Sequence, residues 1–244
     1  MRKILIFLLL FLFIPTSIMA KEAQTIEVIE DDKFLYERSS LNLQGFRARG
    51  AIGPKMGMVW LNLDEINDIL AEEDTDLAEF DNQMLVLGGS IVGGFREGPR
   101  FGMLTMNGQQ EVISGENKSA KLRFRYGGLI TEYGLYAGSR SDIALGAMIG
   151  GGDINLEIRH QEAKDFESGI NTPKGTTAIK QFFVFKPRAN YHYKITPYLA
   201  LDLNAGYLLT YNNSGEWDIM GTKVDDPTGN LHGATLAMKL NFGF

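Results

Sequence analysis

The chain of 244 residues has no cysteine, seven prolines and three histidines. Without cysteine it cannot be a disulfide scaffold, a thiolate-zinc or iron–sulfur protein, a cysteine-nucleophile enzyme or a lipoprotein held by an N-terminal cysteine. Cations are the minority, 24 Lys+Arg against 30 Asp+Glu. A nucleic-acid binder normally shows a basic face, so no nucleic acid is expected as partner. Beyond residue 20 no apolar run reaches the roughly 18–20 residues that a membrane-crossing helix needs. Glycine-rich phosphate cradles are missing as well. Asp74 and Asp76 begin like a calcium loop, but no glycine and no ordered ligand series follow, so neither metal nor cofactor is expected. What is abundant is glycine (28), phenylalanine (15) and tyrosine (nine), a composition of strands and turns.

Residues 1–20 carry a short basic start (Arg2, Lys3), an apolar run from Ile4 to Ile14 closed by Pro15, and a small-residue exit at Ala20. That pattern is a secretory signal peptide, with cleavage expected after Ala20. Residues 21–45 are polar and irregular and are expected to be a flexible lead-in. From residue 46 onward the dominant period is two. Ala234, Leu236, Met238, Leu240 and Phe242 alternate with Thr235, Ala237, Lys239, Asn241 and Gly243. Similar two-faced patterns occur at 198–211, 180–194 and 46–60.

The alternation gives eight strands, roughly 46–61, 83–95, 100–112, 119–137, 143–159, 178–194, 198–211 and 231–244. Within 119–137 and 143–159 the apolar phase changes at Gly127-Gly128 and at Gly150–Gly152, and a glycine-centred bulge is the expected cause. Pro187 is expected to sit at another. The strands of 83–95 and 100–112 alternate only weakly. Tight turns at 96–99, 138–142 and 195–197 alternate with longer connections. Short turns on one side and long loops on the other are the habit of an up-and-down transmembrane barrel. Between Asn62 and Asp81, Leu63, Ile66, Ile69 and Leu70 recur at helical spacing among nine acids, so the first external loop is expected to hold a short acidic helix within 63–80.

The signal peptide, the long alternating strands and the last strand, Leu236-Ala237-Met238-Lys239-Leu240-Asn241-Phe242-Gly243-Phe244, together resemble the small outer-membrane β-barrel proteins of Gram-negative type. The shape is similar to the eight-stranded domain of outer membrane protein A and to the OmpW-like group. The resemblance covers residues 46–244 as architecture. It implies an all-β, eight-stranded antiparallel barrel in the outer membrane with both termini periplasmic. It also implies outer-membrane lipid and the barrel-assembly machinery as partners, the latter reading Leu240, Phe242 and Phe244 as the assembly signal.

If the greasy faces meet lipid, the opposite faces line the lumen. Arg47, Arg49, Lys55, Lys121, Arg123, Arg125, Lys180, Lys186, Arg188, Lys194 and Lys239 are then expected inside, with His192, Asp202 and Asn204. Buried charges need partners, so a charged network filling the lumen is the first expectation. A narrow anion-preferring channel is the alternative. A soluble periplasmic barrel that binds a ligand ranks below both. An enzyme is not expected: none of His160, His192 and His232 has a serine within two residues, and only His232 with Asp225 or Asp226 offers a rim pairing. Loops 160–177 and 212–230, the latter with Trp217, Ile219 and Met220, are candidates for contact with an extracellular partner.

Overall fold

The computed structural model describes residues 48–72, 78–114, 118–160, 175–212, 216–225 and 228–243. The signal peptide, the lead-in, most of loop 160–177, the Asp74–Asp76 pair, Arg47 and Phe244 lie outside these residues.

Eight long strands follow one another: β1 (Ala48–Leu61), β2 (Gln83–Phe95), β3 (Gly98–Ser114), β4 (Lys118–Ala137), β5 (Ser141–His160), β6 (Gly175–Lys194), β7 (Leu199–Tyr211) and, last, β10 (His232–Gly243). Each pairs antiparallel with its sequence neighbours. The β1–β10 pairing, from Leu61 with Gly233 to Ala51 with Gly243, closes the ring, so no edge runs the length of the barrel. A small hairpin absent from the sequence reading, β8 (Glu216–Ile219) and β9 (Thr222–Asp225), stands in the 212–230 connection. It pairs with the top of β6 through Ala178 and Ile179. Its tip places Met220 and Gly221 at φ 51° and 87°. Two positive φ values are what a two-residue hairpin loop demands, and Met bears a cost there that glycine does not.

The outer wall is apolar. Ile52, Leu87, Ile91, Phe101, Met103, Leu129, Leu145, Leu203 and Leu236 all point outward and are exposed. On β6 the outward apolar run from Phe183 to Tyr193, at about 3.3 Å per residue and a customary tilt of about 40°, spans roughly 25 Å, the height of a membrane barrel's apolar band. Apolar outside and charged inside is the inverse of a soluble barrel. Lipid is the medium that makes this arrangement favourable.

The bands end abruptly on the loop side. Asn107, Arg125, Asp153 and Gln181 are register partners across β3–β6 and form the first polar outward row. Above it, β3 to β6 continue as a raised wall. There the polarity inverts: Leu122, Phe124, Ile154 and Phe182 turn inward and are buried, while charges face out. Pairing runs without a shift through Gly127-Gly128 and Gly150–Gly152. The expected bulges at those glycines are therefore absent, because the surroundings of the strand change from lipid to water and the register does not. The one irregularity between β4 and β5 lies at Gly134/Tyr136. At Pro187 the β6–β7 ladder skips from Phe185–Leu209 to Arg188–Gly206 and keeps its register, so that expected bulge is absent too.

The helix α1 (Asp64–Glu72) is shorter than the 63–80 segment expected for it, and residues 78–80 are not helical. Leu63, Ile66 and Leu70 face down and are buried. Asn67 clamps the return of the chain, donating from Nδ2 to the Phe80 carbonyl at 3.0 Å and accepting the Phe80 N–H at 2.9 Å. Asp64 and Glu65 occupy the first turn, where the helix dipole favours carboxylates.

Candidate functional site

The inward faces divide the lumen into two layers. Near the tight-turn end and the middle it is charged. Lys55, Lys239, Asp202, His192 and Asp142 are consecutive cross-strand partners from β1 through β10, β7 and β6 to β5. Within that row His192 Nδ1 and Asp202 Oδ1 lie 2.5 Å apart. A second row runs Thr235, Gly206, Arg188, Gly146, Glu132, Arg100. Gly146 has no side chain, so Arg188 reaches across it to Glu132, Nε to Oε1 at 2.8 Å. Arg100 turns to Asp142 at 3.0 Å and caps the carbonyls of Phe95 and Arg96 at the β2–β3 turn. Each pair is buried, where a charge without a partner would be costly.

The lysines are held differently. Lys55 Nζ donates to Asn204 Oδ1 at 3.3 Å, Lys186 Nζ to the Tyr126 hydroxyl at 3.3 Å, and Lys239 Nζ to the Ala51 carbonyl at 3.3 Å. Lys180 Nζ donates to the carbonyls of Thr228 and Gly229 and to Thr228 Oγ1, at 2.8–3.0 Å, and lies over the Trp217 ring. Among the described residues, six buried Lys and Arg side chains face three buried carboxylates, Glu132, Asp142 and Asp202.

Toward the loop end the lumen is closed by an apolar layer. Phe124 stacks on Phe182 at 5.7 Å and meets Tyr126 at 5.4 Å. Met84, Met106, Leu122, Ile154, Val184 and Leu208 fill the same level, each no more than 1% exposed. Leu63, just before α1, with Ile66 and Leu70 of α1 and Trp217 of β8, closes it from above. Glu65 accepts the backbone N–H of Gly229, tying the helix to the 212–230 connection.

Against this geometry the sequence expectations divide. Lys55, Lys180, Lys186, Arg188, His192, Asp202, Asn204 and Lys239 stand inside. Lys121, Arg123 and Arg125 do not: they lie on the outer face of the raised wall, where Arg125 meets Asp153 at 2.8 Å and Arg123 lies 3.9 Å from Glu157. Lys121 sits between Glu111 and Glu157 in the register. Their inward assignment presumed that the apolar face of β4 meets lipid along its whole length. Lys194 is exposed at the strand end. Arg49 is on β1, but its side chain is outside those described. Leu240 and Phe242 lie on the outward face of β10. Trp217, expected to be an exposed contact residue, is 6% exposed and donates from Nε1 to Thr228 Oγ1; Met220 at the hairpin tip is 74% exposed. His232 bonds the Tyr207 hydroxyl through Nδ1 at 2.9 Å, and Asp225 faces Glu216 across the hairpin, so the rim pairing of histidine with Asp225 does not form. The sequence reading missed Glu132, Asp142 and Arg100. Glu132 and Arg100 fall on weakly alternating stretches, and only the register reveals their partners.

No protein-family model matches the chain, and no curated protein matches it. Solved structures similar in shape include the attachment invasion locus protein Ail of Yersinia pestis (10% identity, 81% of this chain and 97% of that one, TM-score 0.44). Another is Neisserial surface protein A (11%, 81% and 99%, 0.45). A third is the outer membrane protein OprG of Pseudomonas aeruginosa (12%, 82% and 97%, 0.39). At these identities the likeness concerns shape alone.

Proposed function

We propose that the protein is a closed outer-membrane barrel that serves as a surface platform: the belt anchors it in lipid, the filled lumen passes nothing, and the raised wall with its loops is the working face. The observation that carries this reading is the combination of an apolar exterior with a lumen blocked twice, by ion pairs below and by the Phe124–Phe182 layer above. The cationic surplus of the interior favours anions, which is what a narrow anion channel would need. The apolar layer opposes passage, because a small ion crossing it would lose its water with nothing polar in return. In this reading export ends with cleavage after Ala20, the assembly machinery engages Leu240, Phe242 and Phe244, and an extracellular partner meets loops 160–177 and 212–230. Met220 and Val224, exposed on the hairpin, are the residues offered to it.

Planar-bilayer recording of the refolded protein tests the closed lumen. The expected result is no current above that of lipid alone; a steady anion-selective current would reject the platform in favour of the channel. For the working face, Met220→Lys with Val224→Lys alters the hairpin while sparing Trp217. The doubly substituted protein is expected to assemble normally and to lose attachment to surfaces that the unaltered protein binds.

A further inference from the structure

The sheet that closes as a barrel in the membrane is open above it. The small hairpin ends the order of paired strands: β6 bonds β8, β8 bonds β9, and among the described residues nothing pairs with the other edge of β9. All four of its residues, Thr222 to Asp225, are exposed. An edge strand with free backbone N–H and C=O groups is a template for another strand.

The side chains specify which strand. Trp217 and Ile219 share one face of the hairpin with their cross-strand partners Val224 and Thr222. Trp217 belongs to the buried core, yet Val224 directly opposite it is 43% exposed, so the apolar surface runs past the edge unfinished. The other face carries Lys223 and Asp225, opposite Asp218 and Glu216. Lys223 meets Glu216 at 3.0 Å and its side chain stays 71% exposed, while Asp225 meets no cation among the described residues. An antiparallel strand that fits this edge therefore offers an apolar residue to Val224, a carboxylate to Lys223 and a cation to Asp225. The strand β9 meets that description itself. Turned end for end about Val224, it sets Val224 against Val224, Lys223 against Asp225 and Asp225 against Lys223. Opposite charges face to face favour this register. Centring the pair on Lys223 or on Asp225 would set like charges together.

We propose that β9 pairs antiparallel with β9 of a second copy of this chain. The inference rests on the surface role given above and names the partner for its hairpin. The twofold axis relating two antiparallel strands of one sheet stands perpendicular to the sheet. In a barrel wall that direction is radial, parallel to the membrane. The second copy is therefore inverted and sits in an apposed membrane. Four residues a side make a single contact weak, and many copies facing one another across two membranes make it hold.

Vesicles carrying the protein with its loops outward, as protease shaving verifies, are labelled in two colours and their clustering is counted. Unaltered vesicles are expected to cluster. Lys223→Asp and Asp225→Lys each bring like charges together, so vesicles of either variant alone are expected to lose clustering about tenfold. Mixed with each other, the two populations are expected to regain it, because each supplies the charge that the other lacks. Both positions are exposed, and an unchanged heat-dependent gel shift verifies that the barrels are intact. Undiminished clustering by the single variants would overturn the pairing, as would a mixture that stays dispersed. Unaltered vesicles that stay dispersed, while the hairpin still attaches the protein to other surfaces, would also overturn it and leave the surface role standing with a different partner.

Discussion

Removing either partner of the Arg188–Glu132 pair breaks the same 2.8 Å contact, yet the two losses should differ in cost. Both side chains are almost fully buried, at 4% and 2% exposure. Breaking such a pair from one side costs about 3–5 kcal/mol, because the survivor is left charged and unpaired. The surroundings decide which survivor suffers more. After Glu132→Gln, Arg188 remains among Lys55 and Lys186 with the lumen's cationic surplus enlarged. After Arg188→Gln, the surplus shrinks and Glu132 keeps Arg100 as its register partner. One like charge at a separation of about 6 Å is worth ~3 kcal/mol at an effective dielectric near 20. Glu132→Gln should therefore cost at least about 2 kcal/mol more than Arg188→Gln, once relaxation takes a share of that repulsion. Urea titration in lipid vesicles reads this directly. Trp217 serves as the reporter after Trp60→Phe, since the chain has two tryptophans. Equal costs, or a larger cost for Arg188→Gln, would refute the assignment of a cation-rich lumen.

Other substitutions probe separate parts of the account. Gly146→Ala drives a Cβ against the β4 backbone, 2.1 Å from the Thr131 carbonyl oxygen and 2.6 Å from Glu132 Cα, whereas Gly151→Ala meets only the Phe182 carbonyl at 3.5 Å. The first should cost about 1–3 kcal/mol by overpacking and the second close to nothing, as urea midpoints will show. Reversing the outward cations in Arg123→Glu or Arg125→Glu should cost no more than about 1 kcal/mol each, since exposed ion pairs contribute little. Lys180→Met removes the ammonium that gathers Thr228 and Gly229. Limited proteolysis should then cut within 212–230 faster while the heat-dependent gel shift of the barrel persists.

The long strands were legible because lipid imposes a strict period of two. Leu199–Tyr211 and the Ala234–Phe242 alternation occupy the faces that the pattern indicates. The tight turns were legible from their brevity. What failed was inference across the membrane boundary. Alternation shows that a strand has two faces and is silent about which one meets solvent. On β4, Leu122, Phe124 and Tyr126 share the inward face with Glu132, while Arg125 shares the outward face with Leu129. A phase change in the sequence was read as a bulge, although it marks the height at which water replaces lipid. The signal was present in the pairing of the two glycine sites, Gly127 opposite Gly151, at one height in adjacent strands. The ion pairs were invisible for another reason. Arg188 and Glu132 are far apart in sequence, and only the register across Gly146 brings them together.

The absence of cysteine makes the most direct test simple, because any cysteine introduced is the only one. Leu129→Cys and Arg125→Cys lie on one face of one strand, four residues apart, on opposite sides of the proposed lipid boundary. In vesicles, a membrane-impermeant thiol reagent should label Arg125→Cys quickly and leave Leu129→Cys untouched, and nitroxide-bearing lipid tails should quench a probe only at position 129. Equal labelling at both positions, or protection at 125 with reactivity at 129, would contradict a barrel that wears its apolar face outward and rises from lipid at that row.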